Sequence, residues 1–195
     1  MTTALPPSVP HRPALPSLAL LGRDRRGAAA AELALLLAVL LPLLVSGVEL
    51  GRYILLRQKI ERAVMAVGEL NARADVLTRA EGAAIFDAVP HLLRPFATGS
   101  SSRLLVSGVS AGAGGSTIVS WQLAGAGTAT VVSLVGAEGG PATLPAGLSL
   151  MEGETIIVAE AFYDYRPLLI SLVGEGLLYD RSIFRTRAVD AARLQ

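Results

Sequence analysis

There is no cysteine among the 195 residues. That excludes disulfide frameworks, thiol nucleophiles, zinc ribbons and iron–sulfur clusters together. It leaves the redox compartment open. Histidine is nearly as scarce: His11 and His91 are the only two, too few for a His-rich metal centre. Charged residues make up 17% of the chain, against about 25% in an ordinary soluble domain. Lys and Arg number 17 against 16 Asp and Glu, a net charge of +1. No basic excess is available to a phosphate backbone, so no nucleic-acid partner is expected. Lys59 is the only lysine.

What is abundant is apolar. Hydrophobic residues make up 52% of the chain, and one stretch concentrates them. Between Ala28 and Leu50, 18 of 23 residues are Ala, Val or Leu. As a helix this length spans roughly 35 Å, enough for a hydrocarbon core of about 30 Å. The uncharged part, Leu33 to Val48, is 16 residues long. That slightly exceeds the core of a cleavable secretory signal, about 7–15 residues. The expectation is a retained membrane helix, the alternative a buried core helix. Arg12, Arg23, Arg25 and Arg26 precede it; Arg52, Arg57, Lys59 and Arg62 follow it. The positive-inside count is therefore a tie. The closeness of Arg23 to Arg26 favours a cytoplasmic N-terminus. Glu49, at the far end, reads as an interface residue able to pair with Arg52. Glu32, inside the apolar start, reads on its own as a snorkelling carboxylate near Arg25 or Arg26.

The surroundings of Glu32 change that reading. Arg25-Arg26-Gly27-Ala28-Ala29-Ala30-Ala31-Glu32 is a basic leader ending in glycine, an apolar start, and a glutamate fifth after the glycine. This resembles the type IV prepilin signature, in which the leader is cut after the glycine and the helix is kept. A cut after Gly27 would leave a new amine on Ala28. Glu32 of a neighbouring subunit could neutralise it, because unpaired charges in lipid are costly. The wider stretch Arg23 to Leu35 is similar to the start of TadE-like (TadE/TadG family) pilus assembly proteins. Pro42 fits that family's helix proline, and Val48-Glu49-Leu50-Gly51-Arg52 resembles its exit from the membrane. Val158-Ala159-Glu160-Ala161-Phe162-Tyr163-Asp164-Tyr165-Arg166-Pro167-Leu168-Leu169 looks like its late aromatic strand and Pro-Leu turn. Arg185-Thr186-Arg187 looks like its basic ending. Leu33 stands where the family often has an aromatic, so cleavage stays open at this point.

Beyond the membrane, Tyr53, Leu56, Ile60, Ala63, Val67, Leu70, Ala74 and Leu77 recur every three or four residues. They predict one apolar stripe on a continuing helix, packed on the chain's own sheet or used as a coiled-coil seam. Thr78-Arg79-Ala80-Glu81 is a capping-box pattern. It predicts a second helix with Ile85, Val89, Leu92 and Phe96 on one face, kinked or ended at Pro90. Strands are expected at Arg103–Ser110, Thr117–Leu123, Ala129–Val135, Glu154–Tyr163 and Ile183–Val189, with the longest loop from Gly136 to Leu150.

One catalytic pattern occurs, Gly108-Val109-Ser110-Ala111-Gly112. A nucleophile elbow needs a helix after the serine and a histidine downstream. Here AGAGGS follows and both histidines lie upstream. No enzyme activity, cofactor, metal site or small-molecule substrate is expected.

The predicted fold is α+β. A long N-terminal helix, membrane-spanning in its first half, packs on a small antiparallel sheet as in pilins. The expected organisation is a disordered basic leader (1–27), a transmembrane helix (28–50), an extracytoplasmic helical stalk (51–98) and a β-rich extracytoplasmic domain (99–195). The resemblance implies a minor pseudopilin or anchored assembly component of Flp-type (tight adherence) pili in the bacterial inner membrane. Gly27, Ala28 and Glu32 would serve processing and assembly. Tyr53, Leu56, Ile60, Ala63, Val67 and Leu70 would serve helix packing. Its partners would be pilin and pseudopilin subunits, the assembly platform and a prepilin peptidase. The alternatives are a type II secretion pseudopilin and a membrane-anchored periplasmic binding or sensing domain.

Overall fold

A computed structural model of the chain describes residues 26–73, 78–171 and 174–186. The expected leader up to Arg25, and Ala74, Leu77 and residues 187–189, lie outside them. The element order is α1 (Arg26–Arg73), α2 (Arg79–Phe86), α3 (Val89–Leu93), β1 (Ser102–Ala111), β2 (Thr117–Gly125), β3 (Thr155–Tyr165) and β4 (Gly176–Arg185). The class is α+β, as expected. Two compact units divide it, Met1–Leu44 and Val45–Gln195. In the first, the α1 side chains from Gly27 to Leu44 are exposed.

In the second unit the four strands form one antiparallel sheet in the order β2-β1-β3-β4. Side chains alternate between its faces. Leu104, Val106, Ile157, Ala159, Ala161, Tyr163 and Tyr165 join the core that holds Leu56, Ile60, Ala63, Val64 and Val67 of α1. Ile156, Val158 and Val109 join a second core, with Val119 and Val135. β2 serves both faces because of a bulge. Gly108 pairs with Trp121, but Val109 pairs with Val119. Ser120 is the extra residue, and it switches Val119 to the face opposite Trp121.

The helix stripe is real with one correction. Leu56, Ile60, Ala63 and Val67 are buried and Tyr53 is partly buried, but Leu70 is half exposed. Strict heptad spacing drifts around a straight helix of 3.6 residues per turn. By the last turns the buried face has moved to Val64, Gly68, Asn71 and Ala72. Gly68 allows the closest approach: a Cβ there would lie 2.5 Å from the Phe184 ring.

The capping box is present. Thr78 Oγ1 accepts from the Glu81 N–H at 3.1 Å, and Glu81 accepts from the Thr78 N–H at 3.0 Å. α2 ends at Phe86, and α3 opens with Pro90 in its first turn. Phe86, Val89, Leu93 and Phe96 are the buried set, whereas Leu92 is exposed. Val89 and Phe96 face inward as expected, while Phe86 and Leu93 take the fully buried places expected of Ile85 and Leu92; Ile85 is partly buried against the core.

Two strand expectations need correction. Residues 129–135 are not a strand. The sheet runs β2-β1-β3-β4 without this segment, and its Val135 joins the core on the second face. Its amides bond to scattered acceptors, Ala129 N–H to the Ser102 carbonyl at 3.2 Å and Val135 N–H to Ser133 Oγ at 3.1 Å. The last strand begins at Gly176, well before Ile183, and pairs along the whole of β3. Gly174, just before it, has a left-handed φ of +80°.

Candidate functional site

The last strand turn on the helix-covered face leads to a polar junction. Glu49, Tyr53 and Leu56 follow the i, i+4, i+7 spacing that places side chains on one side of a helix. Alternation along β3 points Tyr163 and Tyr165 toward that side. The chain then turns at Arg166-Pro167, and the next two amides meet Glu49. Tyr165 Oη donates to Glu49 Oε1 at 2.5 Å. Leu168 N–H donates to both carboxylate oxygens, at 3.2 and 3.1 Å, and Leu169 N–H to Oε2 at 3.1 Å. The Tyr165 ring meets the Tyr53 ring edge-on, centroids 5.3 Å apart.

Glu49 is fully buried. The expected pairing with Arg52 is therefore corrected: its direct partners are a phenol and two backbone amides. A buried carboxylate requires such donors. Arg52 lies on the Phe96 ring instead, 5.7 Å from its centroid. Burial, then the Glu49 carboxylate, pushes the Tyr165 phenol up to about 12. Tyr165 is thus the proton donor to Glu49 at any physiological pH. Beside the junction an open groove is lined by Arg52, Leu55, Pro95, Phe96, Ala97 and Tyr163.

The opposite face has a matching device. Glu160, in the middle of β3, is fully buried. It accepts from Ser133 Oγ, from Leu134 N–H at 3.0 Å and from Tyr179 Oη at 3.0 Å. Burial first, then this carboxylate, raises the Tyr179 phenol above its usual range. Each glutamate fastens an irregular segment: Glu49 holds residues 168–169, Glu160 holds 133–134.

The other sequence-derived residues fall as follows. Gly27, Ala28 and Glu32 are exposed on the first turns of α1, within the unit Met1–Leu44. The geometry brings no described side chain to them. Ser110 lies in β1, its hydroxyl 2.6 Å from Ser120 Oγ and 3.1 Å from Thr155 Oγ1, and a short 3₁₀ turn (Ala113–Gly115) follows. The residue that sequence reasoning undervalued is Glu49. The available signal was in the two quoted stretches Val48–Arg52 and Val158–Leu169, which the fold brings together at this carboxylate.

Comparison with known proteins adds one finding. Residues 27–68 match the family model described as TadE-like protein. The match starts at Gly27, takes in Glu32 and Glu49, and ends at Gly68, where the helix meets Phe184. Searches of curated proteins and of solved structures gave no match. The helix Gly27–Arg73 is long and apolar enough to cross a membrane, which fits a single-pass membrane protein.

Proposed function

We propose that the chain is a minor pseudopilin or membrane-anchored assembly component of Flp-type (tight adherence) pili, working by packing and without catalysis. The observation that carries this reading is the TadE-like match, which begins at Gly27 and runs into the helix that packs on the sheet. The exposed apolar surface of α1 from Leu33 to Leu44 supports it. Such a surface suits lipid and neighbouring helices. In this reading a prepilin peptidase cuts after Gly27 on the cytoplasmic side of the inner membrane. Glu32 then meets the new Ala28 amine of an adjacent subunit and sets the register of the bundle. The sheet domain, outside the cytoplasm, offers its surfaces to pilin subunits and the assembly platform.

The test is the mature N-terminus, read by mass spectrometry on membranes of the native host, beside Gly27→Leu and Glu32→Leu variants. The expected result is a start at Ala28 that Gly27→Leu abolishes, with pili lost in Glu32→Leu cells. An intact leader in both, with normal pili in the Glu32→Leu strain, would sink the pseudopilin reading. A plain membrane-anchored binding domain would then take its place.

A further inference from the structure

The segment after β3 is apolar and bare. Leu168 is 67% exposed and Leu169 54%, with Ile170 at 36%. Contiguous exposed apolar side chains on a loop call for a partner. The loop's own amides tell where it sits. Leu168 N–H and Leu169 N–H both bond Glu49. Glu49 is the first charged residue after the uncharged run Leu33–Val48. A loop bonded to that carboxylate therefore lies at the level where the apolar run ends.

We propose that residues 168–170 are a membrane-seating loop, with their side chains in the lipid interface beside residues 45–48 of α1. The occupant is the bilayer itself, on the leaflet where α1 leaves it. Three observations agree. The side chains are those an interfacial segment uses. Backbone amides entering a low-dielectric region must be satisfied within the protein, and the buried Glu49 carboxylate does this for two of them. Arg166, at the start of the turn, is exposed and paired with Asp164 at 3.0 Å, which places charge at the edge of the apolar loop. Glu49 would then both end the span and hold the loop at the lipid interface. This rests on α1 being a membrane span, as the proposed function also does.

The absence of native cysteine makes the test direct. Single Leu40→Cys, Leu169→Cys and Val132→Cys variants of the full chain are labelled with an environment-sensitive fluorophore. Val132 is an exposed loop residue on the other face of the sheet. Each is reconstituted in phosphatidylethanolamine–phosphatidylglycerol vesicles, with and without nitroxide lipids, and titrated with aqueous iodide. The expected result is strong lipid quenching at residue 40, strong quenching at 169 by shallow nitroxides, and iodide quenching alone at 132. Glu49→Gln should reduce the lipid quenching at 169 and leave that at 40 unchanged. Lipid quenching at 40 without any at 169 would overturn the seating loop and leave the span intact. No lipid quenching at either position would overturn both. Shielding of 169 from iodide that grows with protein density, without lipid quenching, would show a second copy covering the loop and would also overturn the proposal.

Discussion

The two faces of the sheet are covered in different ways. α1 covers one with apolar side chains at helical spacing, held by its own backbone bonds. The long connection between β2 and β3 covers the other with Val135, Ala142, Leu144, Leu148 and Leu150. It has no repeat. Its backbone is satisfied piecemeal, by bonds such as Val119 N–H to the Gly140 carbonyl at 3.0 Å and Thr143 N–H to the Val135 carbonyl at 2.7 Å. A helix moves as a rod, so a hole under it stays open. An irregular cover can settle into a hole. The contrast teaches that burial on the two faces comes with different stiffness.

The neighbouring residues Ile156 and Ile157 put this to the test, since both are fully buried and they face opposite covers. Ile157→Ala, beneath the helix, should cost about 3–5 kcal/mol, and Ile156→Ala, beneath the loop, about 2 kcal/mol. Urea unfolding of the full chain in mild detergent measures both. Equal losses would break the comparison.

The next largest effect belongs to the loop cover alone. Glu160→Ala removes the acceptor for Leu134 N–H and Tyr179 Oη. Leaving such buried donors unpaired should cost about 2–3 kcal/mol. Hydrogen exchange at residues 133–135 should rise well before that of the sheet. Glu160→Gln, which keeps a carbonyl oxygen, should recover part of the loss. A uniform rise across both faces would mean that Glu160 supports the whole sheet and not one cover.

These two faces were not equally legible. The helix cover could be read because residues from Leu56 to Val67 repeat with the period of the structure they form. Leu70 failed because the stripe drifts. The capping box was equally readable, since Thr78 and Glu81 act within one turn. The loop cover could not be read that way. Thr130-Val131-Val132 has the composition of a strand, yet the four-stranded sheet is completed without it. Nothing local announces which β-prone segments the sheet takes. Gly27 and Glu32 stood out as a spaced pattern, and the family match starts at the first of them. Glu49 stood out as a charge after an apolar run. Its true partners are more than a hundred residues away, a separation that no short motif spans.

Gly68 sharpens the stiffness argument from the helix side. A Cβ there would lie 2.5 Å from Phe184 Cε2 and 3.0 Å from Ser182 Oγ. Ser182 Oγ also donates to the Val64 carbonyl at 3.0 Å, so the strand is tied to the helix at this point. Gly68→Ala should therefore cost about 1–3 kcal/mol despite the better helix propensity of alanine. Adding Phe184→Leu, which withdraws the ring, should restore part of the loss in the same unfolding measurement. A stabilised Gly68→Ala would show that helix and strand can separate freely, contrary to a stiff cover.

The smallest expected effect lies at the rim of the helix-covered face, where α2 packs Phe86 into the core. Thr78→Ala removes the cap and should cost about 1 kcal/mol at neutral pH. The loss should also depend on acid. The Thr78 N–H, then its hydroxyl, holds the Glu81 carboxyl below its ordinary value of 4.5. A carboxyl lowered by folding stabilises the fold fully above its unfolded value, and that contribution disappears as pH falls through the folded value. The native chain should therefore lose this contribution below about pH 4.5, and Glu81→Gln, which cannot titrate, should show a flatter decline there. Unfolding midpoints at neutral pH and on the acid side, for the native chain and Glu81→Gln, measure the difference. Parallel curves would mean that packing of Phe86, and not the cap, sets where α2 begins. The helix-covered face would then owe its order to side-chain burial even at its edge, where local sequence signals are strongest.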